Sequence, residues 1–195
     1  VLASVQLEDQ DGARVTFSEF FTWKPSVLAF FYTRCDNPNK CSLTITKLGR
    51  LQRQLAELGL DGQIQTAAIT YDPEFDLPLR LRAYGENRAF VFDPSNRLFR
   101  TTGGLSALED CFELGVSFSG TLVNRHRIEL FLLDQRGRVA GACTRLQWEV
   151  EDVLAQAVRL AQPSPRLHAP TPGPPPTESA RSADTSNAPP KRSQS

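Results

Sequence analysis

Val27, Leu28, Ala29, Phe30, Phe31 and Tyr32 form an unbroken apolar run, rich in aromatic side chains, that closes on Thr33. Successive side chains of a strand point to opposite faces of its sheet, so a strand that never alternates with polar residues has no face to give to water. Residues 27–33 are therefore predicted as a central strand covered on both sides. A sheet built around such a strand needs covering layers, and helices are the usual ones.

The rest of the pattern alternates strands with helices. From Ser42 onward, Leu43, Leu48, Leu51, Leu55 and Leu58 recur at near-helical spacing, with Lys47, Arg50, Arg53 and Glu57 largely between them, until Gly59 stops the run. Residues 64–70 read as a second strand that ends in the turn Asp72-Pro73-Glu74. Pro78 opens a short helix through Tyr84, which Gly85 is expected to end. Residues 89–92 are short and apolar and lead into Asp93-Pro94-Ser95-Asn96. Leu105, Leu108, Cys111, Phe112 and Leu114 fit another helix, stopped by Gly115, in which Cys111 is expected to pack as a small buried hydrophobe.

Two hairpins are predicted. Near the start, the Asp11-Gly12 turn precedes Val15 and Phe17, which alternate with polar neighbours; later, residues 128–133 and 138–143 flank the turn Asp134-Gln135-Arg136-Gly137. Val150, Val153, Leu154, Ala157, Val158 and Leu160 supply the apolar face of a closing helix, with Trp148 just ahead of it. Trp23 and Phe90 read as core or rim aromatics. The expected fold class is α/β, a three-layer arrangement in which helices flank a central mixed sheet with a late β-hairpin.

With 195 residues and 40% hydrophobic composition, the chain has material for one sizeable core. One domain over residues 1–161 is expected. From residue 162 on, Pro163, Pro165, Pro170, Pro172 and Pro174-Pro175-Pro176 sit among Ser, Thr, Ala and Asn without apolar periodicity, so residues 162–195 are expected to form a disordered tail. Lys plus Arg equals Asp plus Glu at 22 each, which gives no broad field to attract nucleic acid. No apolar stretch approaches the roughly 20 residues that cross a bilayer. The chain starts at Val1 and contains no methionine, and from this a removed N-terminal signal or anchor is expected.

The chemistry concentrates in the loop from Thr33 to Ser42, which carries Cys35 and Cys41 between the central strand and the following helix. Side chains at the carboxyl end of an open α/β sheet face the crevice where such folds place their chemistry. A cysteine at a helix start meets unpaired backbone N–H groups, and Arg34 and Lys40 add positive charge, so the loop is expected to favour thiolate. Redox exchange, soft-metal binding, a structural disulfide and two independent thiols all fit this spacing. A lone histidine, His126, precedes the late hairpin, and His168 lies in the predicted tail. If His126 faces the loop, two thiolates and one imidazole suit Cu(I), Cu(II) or Zn(II), with sulfur softness favouring copper. Asp72 and Asp76 are candidate support or docking carboxylates near the sheet end. Cys143, on the late hairpin, is open between packing and chemistry. No P-loop, dinucleotide fingerprint, HExxH or nucleophile elbow is present.

Four segments in order carry a family likeness: residues 28–35 ending in Cys35, the run Cys41-Ser42-Leu43-Thr44, the run Ile69-Thr70-Tyr71-Asp72-Pro73-Glu74-Phe75-Asp76, and His126 eight residues before Asp134. Over residues 6–160 the chain resembles the SCO/SenC family, thioredoxin-like proteins associated with assembly of cytochrome c oxidase. The resemblance implies a thioredoxin-like fold, with Cys35 and Cys41 matching the two copper-binding cysteines and His126 the copper-binding histidine. It implies an extracytoplasmic domain, periplasmic or equivalent, anchored to a membrane by the removed segment. Its cargo would be one copper ion, Cu(I) or Cu(II), delivered to the oxidase subunit that carries CuA or to another cuproprotein. The protein is expected to be monomeric. The family motif has three residues between its cysteines, whereas this chain has five, Asp36 to Lys40. Beside copper handling stand two alternatives: thiol:disulfide exchange with a redox partner through Cys35 and Cys41, and a non-catalytic interaction domain whose tail acts as a spacer.

Overall fold

The computed structural model describes residues 2–120, 122–144 and 148–162, so the predicted tail lies outside the described residues from Pro163 on. In chain order the elements are β1 (Gln6–Asp9), β2 (Arg14–Thr16), α1 (Phe17–Phe21), β3 (Ser26–Phe31), α2 (Leu43–Glu57), β4 (Gln65–Thr70), α3 (Pro78–Glu86), β5 (Asn96–Gly103), α4 (Leu105–Phe112), β6 (Val116–Ser119), β7 (Leu122–His126), β8 (Glu129–Leu133), β9 (Val139–Cys143) and α5 (Val150–Ala161). Seven strands form one sheet in the order β2-β1-β5-β4-β3-β8-β9, and β6 and β7 form a separate two-stranded sheet.

β3 is buried at every position. Val27, Ala29 and Phe31 join the core on one face, with Ile45, Leu48, Leu51 and Leu55 of α2, Leu81 of α3 and Val153 of α5. Leu28 and Phe30 join the core on the other, with Phe17, Phe20 and Phe21 of α1 and Leu108 and Phe112 of α4. Strict alternation of an all-apolar strand thus yields two cores, one above and one below. The three-layer, mixed-sheet, thioredoxin-like architecture is the one expected from sequence.

Pairing partners fix what lies at each sheet edge. β3 runs parallel to β4, with Phe31 opposite Thr70, and antiparallel to β8, with Phe30 opposite Glu129. The carboxyl end of β3 therefore lies beside the end of β4 and the beginning of β8.

Several details differ from the sequence reading. Phe17 does not continue the first hairpin but opens α1, because Thr16 caps that helix and Glu19 bonds back to the Thr16 N–H in a capping box. A strand absent from the sequence reading, Asn96–Gly103, follows the turn after residues 89–92. Charges obscured it, since Arg97 and Arg100 interrupt the apolar pattern and are matched only across the sheet, by Asp9 at 3.1 Å and Glu8 at 2.5 Å. Gly85 lies inside α3 rather than ending it, and its bare Cα faces the Phe92 ring and Leu98. Trp23 is 85% exposed, on a left-handed backbone with φ 77°, whereas Phe90 is core. Cys111 is exposed rather than packed. The buried face of α4 is set by Leu108 and Phe112, and at 3.6 residues per turn Cys111 points about 80° away from its centre.

Gly49 gives a test in which two magnitudes oppose. Alanine is favoured over glycine in a helix interior by about 1 kcal/mol. A Cβ at position 49 would overlap the carbonyl of Ala89, where α2 meets the backbone after α3, and overpacking of this kind costs about 1–3 kcal/mol. We expect Gly49→Ala to lower the urea midpoint at unchanged slope; a raised midpoint would mean that the Ala89 segment yields.

Candidate metal centre

The site assembles where the ends of β3 and β4 meet the start of β8. Asp76, fully buried, braces this corner: it accepts from the backbone N–H of Thr33 at 3.0 Å and from the hydroxyls of Thr33 and Thr70. Burial pushes its carboxyl pKa up, against the lowering effect of those hydrogen bonds. Asp72 pairs with Arg34, whose guanidinium also lies 4.0 Å over the Phe75 ring. Both carboxylates thus shape the loop and lie apart from the sulfurs, and Arg34 is committed to Asp72.

The five residues between the cysteines are taken up by local turn chemistry. The Asn37 side chain accepts from the Asn39 N–H at 2.9 Å, Pro38 begins a single π-helical turn, Pro38–Ser42, and Lys40 leaves helical geometry at φ −114° and ψ −109°. That turn delivers Cys41 into the core, 2% exposed, directly ahead of α2. Cys35 stays partly exposed on the approach.

His126 arrives from the opposite side. It is the last residue of β7, and its partner in the small sheet is Val116 of β6. Its Nδ1 lies 2.8 Å from the carbonyl of Arg127, which can only accept, so Nδ1 carries the proton and Nε2 is the free lone pair. Nε2 lies 3.4 Å from the Cys35 sulfur and 3.6 Å from the Cys41 sulfur. Metal–sulfur bonds of ~2.3 Å and metal–nitrogen bonds of ~2.0 Å, opened by about 110–120°, separate N from S by about 3.5–3.7 Å. The three donor atoms all lie within 4.8 Å of one another, and the cluster has the geometry to coordinate a metal ion. The longer loop has not separated the cysteines from the imidazole.

The two sulfurs are electrostatically unequal. The Cys41 thiol, donating toward Cys35, is the largest influence holding the Cys35 pKa far below its ordinary value; burial opposes, and the Cys41 backbone adds to the lowering. Burial drives the Cys41 thiol strongly upward, reinforced by Cys35. The pair therefore holds one proton, with thiolate at the exposed sulfur and thiol at the buried one. Sequence reasoning assigned thiolate character to the helix start, with Arg34 and Lys40 adding positive charge. Instead Arg34 faces Asp72, and the Lys40 ammonium donates to the His126 carbonyl at 3.1 Å, tying the cysteine loop to the histidine strand.

A cleft of about 480 Å³ opens over the cluster, bordered by Tyr32, Cys35, Lys40, Gly115, Arg125 and His126 among others. Tyr32 meets the His126 ring edge-on at 5.1 Å between centroids, and Tyr71 lies 5.8 Å from it. Sequence reasoning missed Tyr71 and Glu129. Glu129 had a readable signal, a lone carboxylate inside the apolar run of residues 128–133, which has to find buried partners. Cys143 lies on β9, away from the cluster.

No curated protein sequence matches the chain. Among solved structures, a SCO1/SenC family lipoprotein from Bacillus anthracis matches with a TM-score of 0.67 at 26% identity, over 80% of this chain and 92% of that one. Yeast Sco1 with copper bound matches at 23% identity and a TM-score of 0.60, over 80% of this chain and 84% of that one. ScoI from Arabidopsis thaliana with copper bound matches at 19% and 0.64, over 82% and 98%. The last two likenesses are of fold. The SCO1/SenC family pattern itself matches residues 2–162, so the chain belongs to the SCO1/SenC family.

Proposed function

We propose that this protein is a copper carrier that holds one copper ion between Cys35, Cys41 and His126 and passes it to the CuA-bearing subunit of cytochrome c oxidase or another cuproprotein. The observation that carries the reading is the convergence of two sulfurs and one free imidazole nitrogen at metal-ligand spacing. Thiolate and imidazole together select soft or borderline ions, copper foremost. The copper bound to yeast Sco1 and Arabidopsis ScoI supports the choice of cargo. The similar structure of BsSco is of a member of the Sco family of cytochrome c oxidase assembly proteins, which supports the choice of recipient.

Unequal sulfurs suit a carrier. Cys41 is enclosed and Cys35 lies at the cleft, so an incoming thiolate can replace Cys35 first while Cys41 and His126 still hold the ion. The working location we propose is outside the cytoplasm, beside a membrane, in keeping with the lipoprotein character of the Bacillus anthracis relative. Among the described residues no helix is long and apolar enough to cross a membrane, so in this reading any anchor lies beyond them.

A second reading, thiol:disulfide exchange, is favoured by one observation, the accessible Cys35 sulfur beside the buried Cys41 thiol that holds its pKa low. Cys35 and Cys41 are not joined by a disulfide in this structure. The readings are compatible, since a carrier must keep its thiols reduced to load.

Two outcomes are expected. Reduced protein should take up Cu(I) at one ion per chain, Cys35→Ser and Cys41→Ser should abolish this, and His126→Ala should weaken binding by at least about tenfold, or ~1.4 kcal/mol. Competition against a Cu(I) chelator measures it, and unchanged affinity in both cysteine variants overturns the carrier reading. The second outcome concerns pH. Because the folded Cys35 pKa is depressed, its thiolate is present throughout the neutral range and is lost only well on the acid side, so alkylation by iodoacetamide should be flat from pH 5 to 8. An ordinary cysteine, with a pKa of about 8.5, speeds up roughly tenfold per pH unit over that window. Cys41→Ala, which removes the donating thiol, should restore that climb at Cys35.

A further inference from the structure

Glu129 is fully buried two residues beyond the neck of the β6–β7 excursion, and two of its partners, Arg127 and Tyr71, touch the histidine. Its carboxylate accepts from the Gly115 N–H at 2.6 Å and from the Tyr71 hydroxyl, and pairs with the Arg127 guanidinium at 3.3 Å. Gly115 and Arg127 are the two residues between which the chain leaves and re-enters the main fold. They are joined again by Arg127 N–H to Gly115 carbonyl at 3.1 Å, and Arg127 reaches on to the Glu113 carbonyl at 2.8 Å. A Cβ at position 115 would overlap the Arg127 guanidinium in its present place, so a side chain there would have to push that flexible arm aside.

The link to the metal donors is direct. The carbonyl that accepts from His126 Nδ1 belongs to Arg127, the residue Glu129 holds, and the Tyr71 ring that Glu129 anchors by its hydroxyl packs against the His126 ring. Without these ties His126 would end a two-stranded ribbon, an element of marginal stability by itself. Removing the carboxylate would leave the Gly115 N–H and the Tyr71 hydroxyl without their buried partner, and the half-exposed Arg127 guanidinium with the Glu113 carbonyl alone to direct it.

We propose that Glu129 is the positioning residue of the third donor: through Arg127 and Tyr71 it holds the His126 ring in the Nδ1–H tautomer with Nε2 over the two sulfurs. The inference rests on the carrier reading for its functional meaning and on this structure alone for its geometry. Groups that orient a metal-binding histidine typically contribute 10–100-fold to affinity. Glu129 acts through one intervening residue, which places it at the lower end of that range.

The test uses the reduced chain and the variants Glu129→Gln, Tyr71→Phe, His126→Ala and the double variant Glu129→Gln/His126→Ala. Glutamine keeps the shape but loses the charge facing Arg127 and exchanges an acceptor for a donor. In metal-free protein carrying ¹⁵N-histidine, NMR should show His126 as a single Nδ1–H tautomer, assigned by its loss in His126→Ala since His168 is the other histidine. Glu129→Gln should convert it to a tautomer mixture, and an unchanged spectrum overturns the proposal whether or not the protein carries copper. Glu129→Gln should also weaken Cu(I) binding about tenfold while having no effect in the His126→Ala background. Equal loss in both backgrounds would make Glu129 a general stabiliser and overturn the proposal. If wild type takes up no copper, the carrier reading fails and the tautomer measurement still decides. Should Glu129→Gln not fold, Tyr71→Phe, which removes one hydroxyl, carries the same two readouts with smaller shifts in the same direction.

Discussion

β3 has no face that tolerates water, and the rest of the molecule follows from covering it. Two helical layers enclose the strand, and its neighbours in the sheet are the strands whose ends build the site. Parallel pairing with β4 sets the Asp72 to Asp76 turn at the carboxyl end of β3. Antiparallel pairing with β8 brings that strand's beginning to the same edge. Cys35 leaves from this edge and His126 arrives at it, so residues 91 positions apart meet.

Charge placement at that edge follows one economy. Buried ionised groups are costly unless paired or hydrogen-bonded, and here each buried carboxylate has taken its partners from the loops it stabilises. Asp76 holds the Thr33 end of the cysteine loop, and Glu129 holds the Gly115 and Arg127 ends of the histidine excursion. The sulfurs themselves avoid a second buried negative charge by sharing a proton. A monovalent or divalent cation entering between them would displace that proton, which couples metal affinity to pH in the manner general to thiolate sites.

Much of this was legible. The all-apolar run at β3, the leucine spacing of α2 and the late hairpin at β8 and β9 are local patterns, and each element formed where its pattern predicted. The cysteine loop and His126 were recognisable by residue type. β5 was hidden because Arg97 and Arg100 look solvent-facing until β1 supplies Glu8 and Asp9 across the sheet. The ribbon of β6 and β7 escaped because its outward positions are mixed and its pairing shifts register between Ser117 and Phe118. Cys111 was misplaced because a helix of eight residues leaves its buried face to be chosen by the sheet it meets.

The sequence by itself determined the class of fold, the donor types and the family, because hydrophobic period, turn residues and cysteine and histidine identity are properties of short segments. Tertiary structure decided whether a five-residue loop still presents both sulfurs to one imidazole, which sulfur holds the proton, and which carboxylate steadies the histidine. Those outcomes depend on distances between segments far apart in the chain, set by strand register and by burial, and neither can be read from residues taken a few at a time.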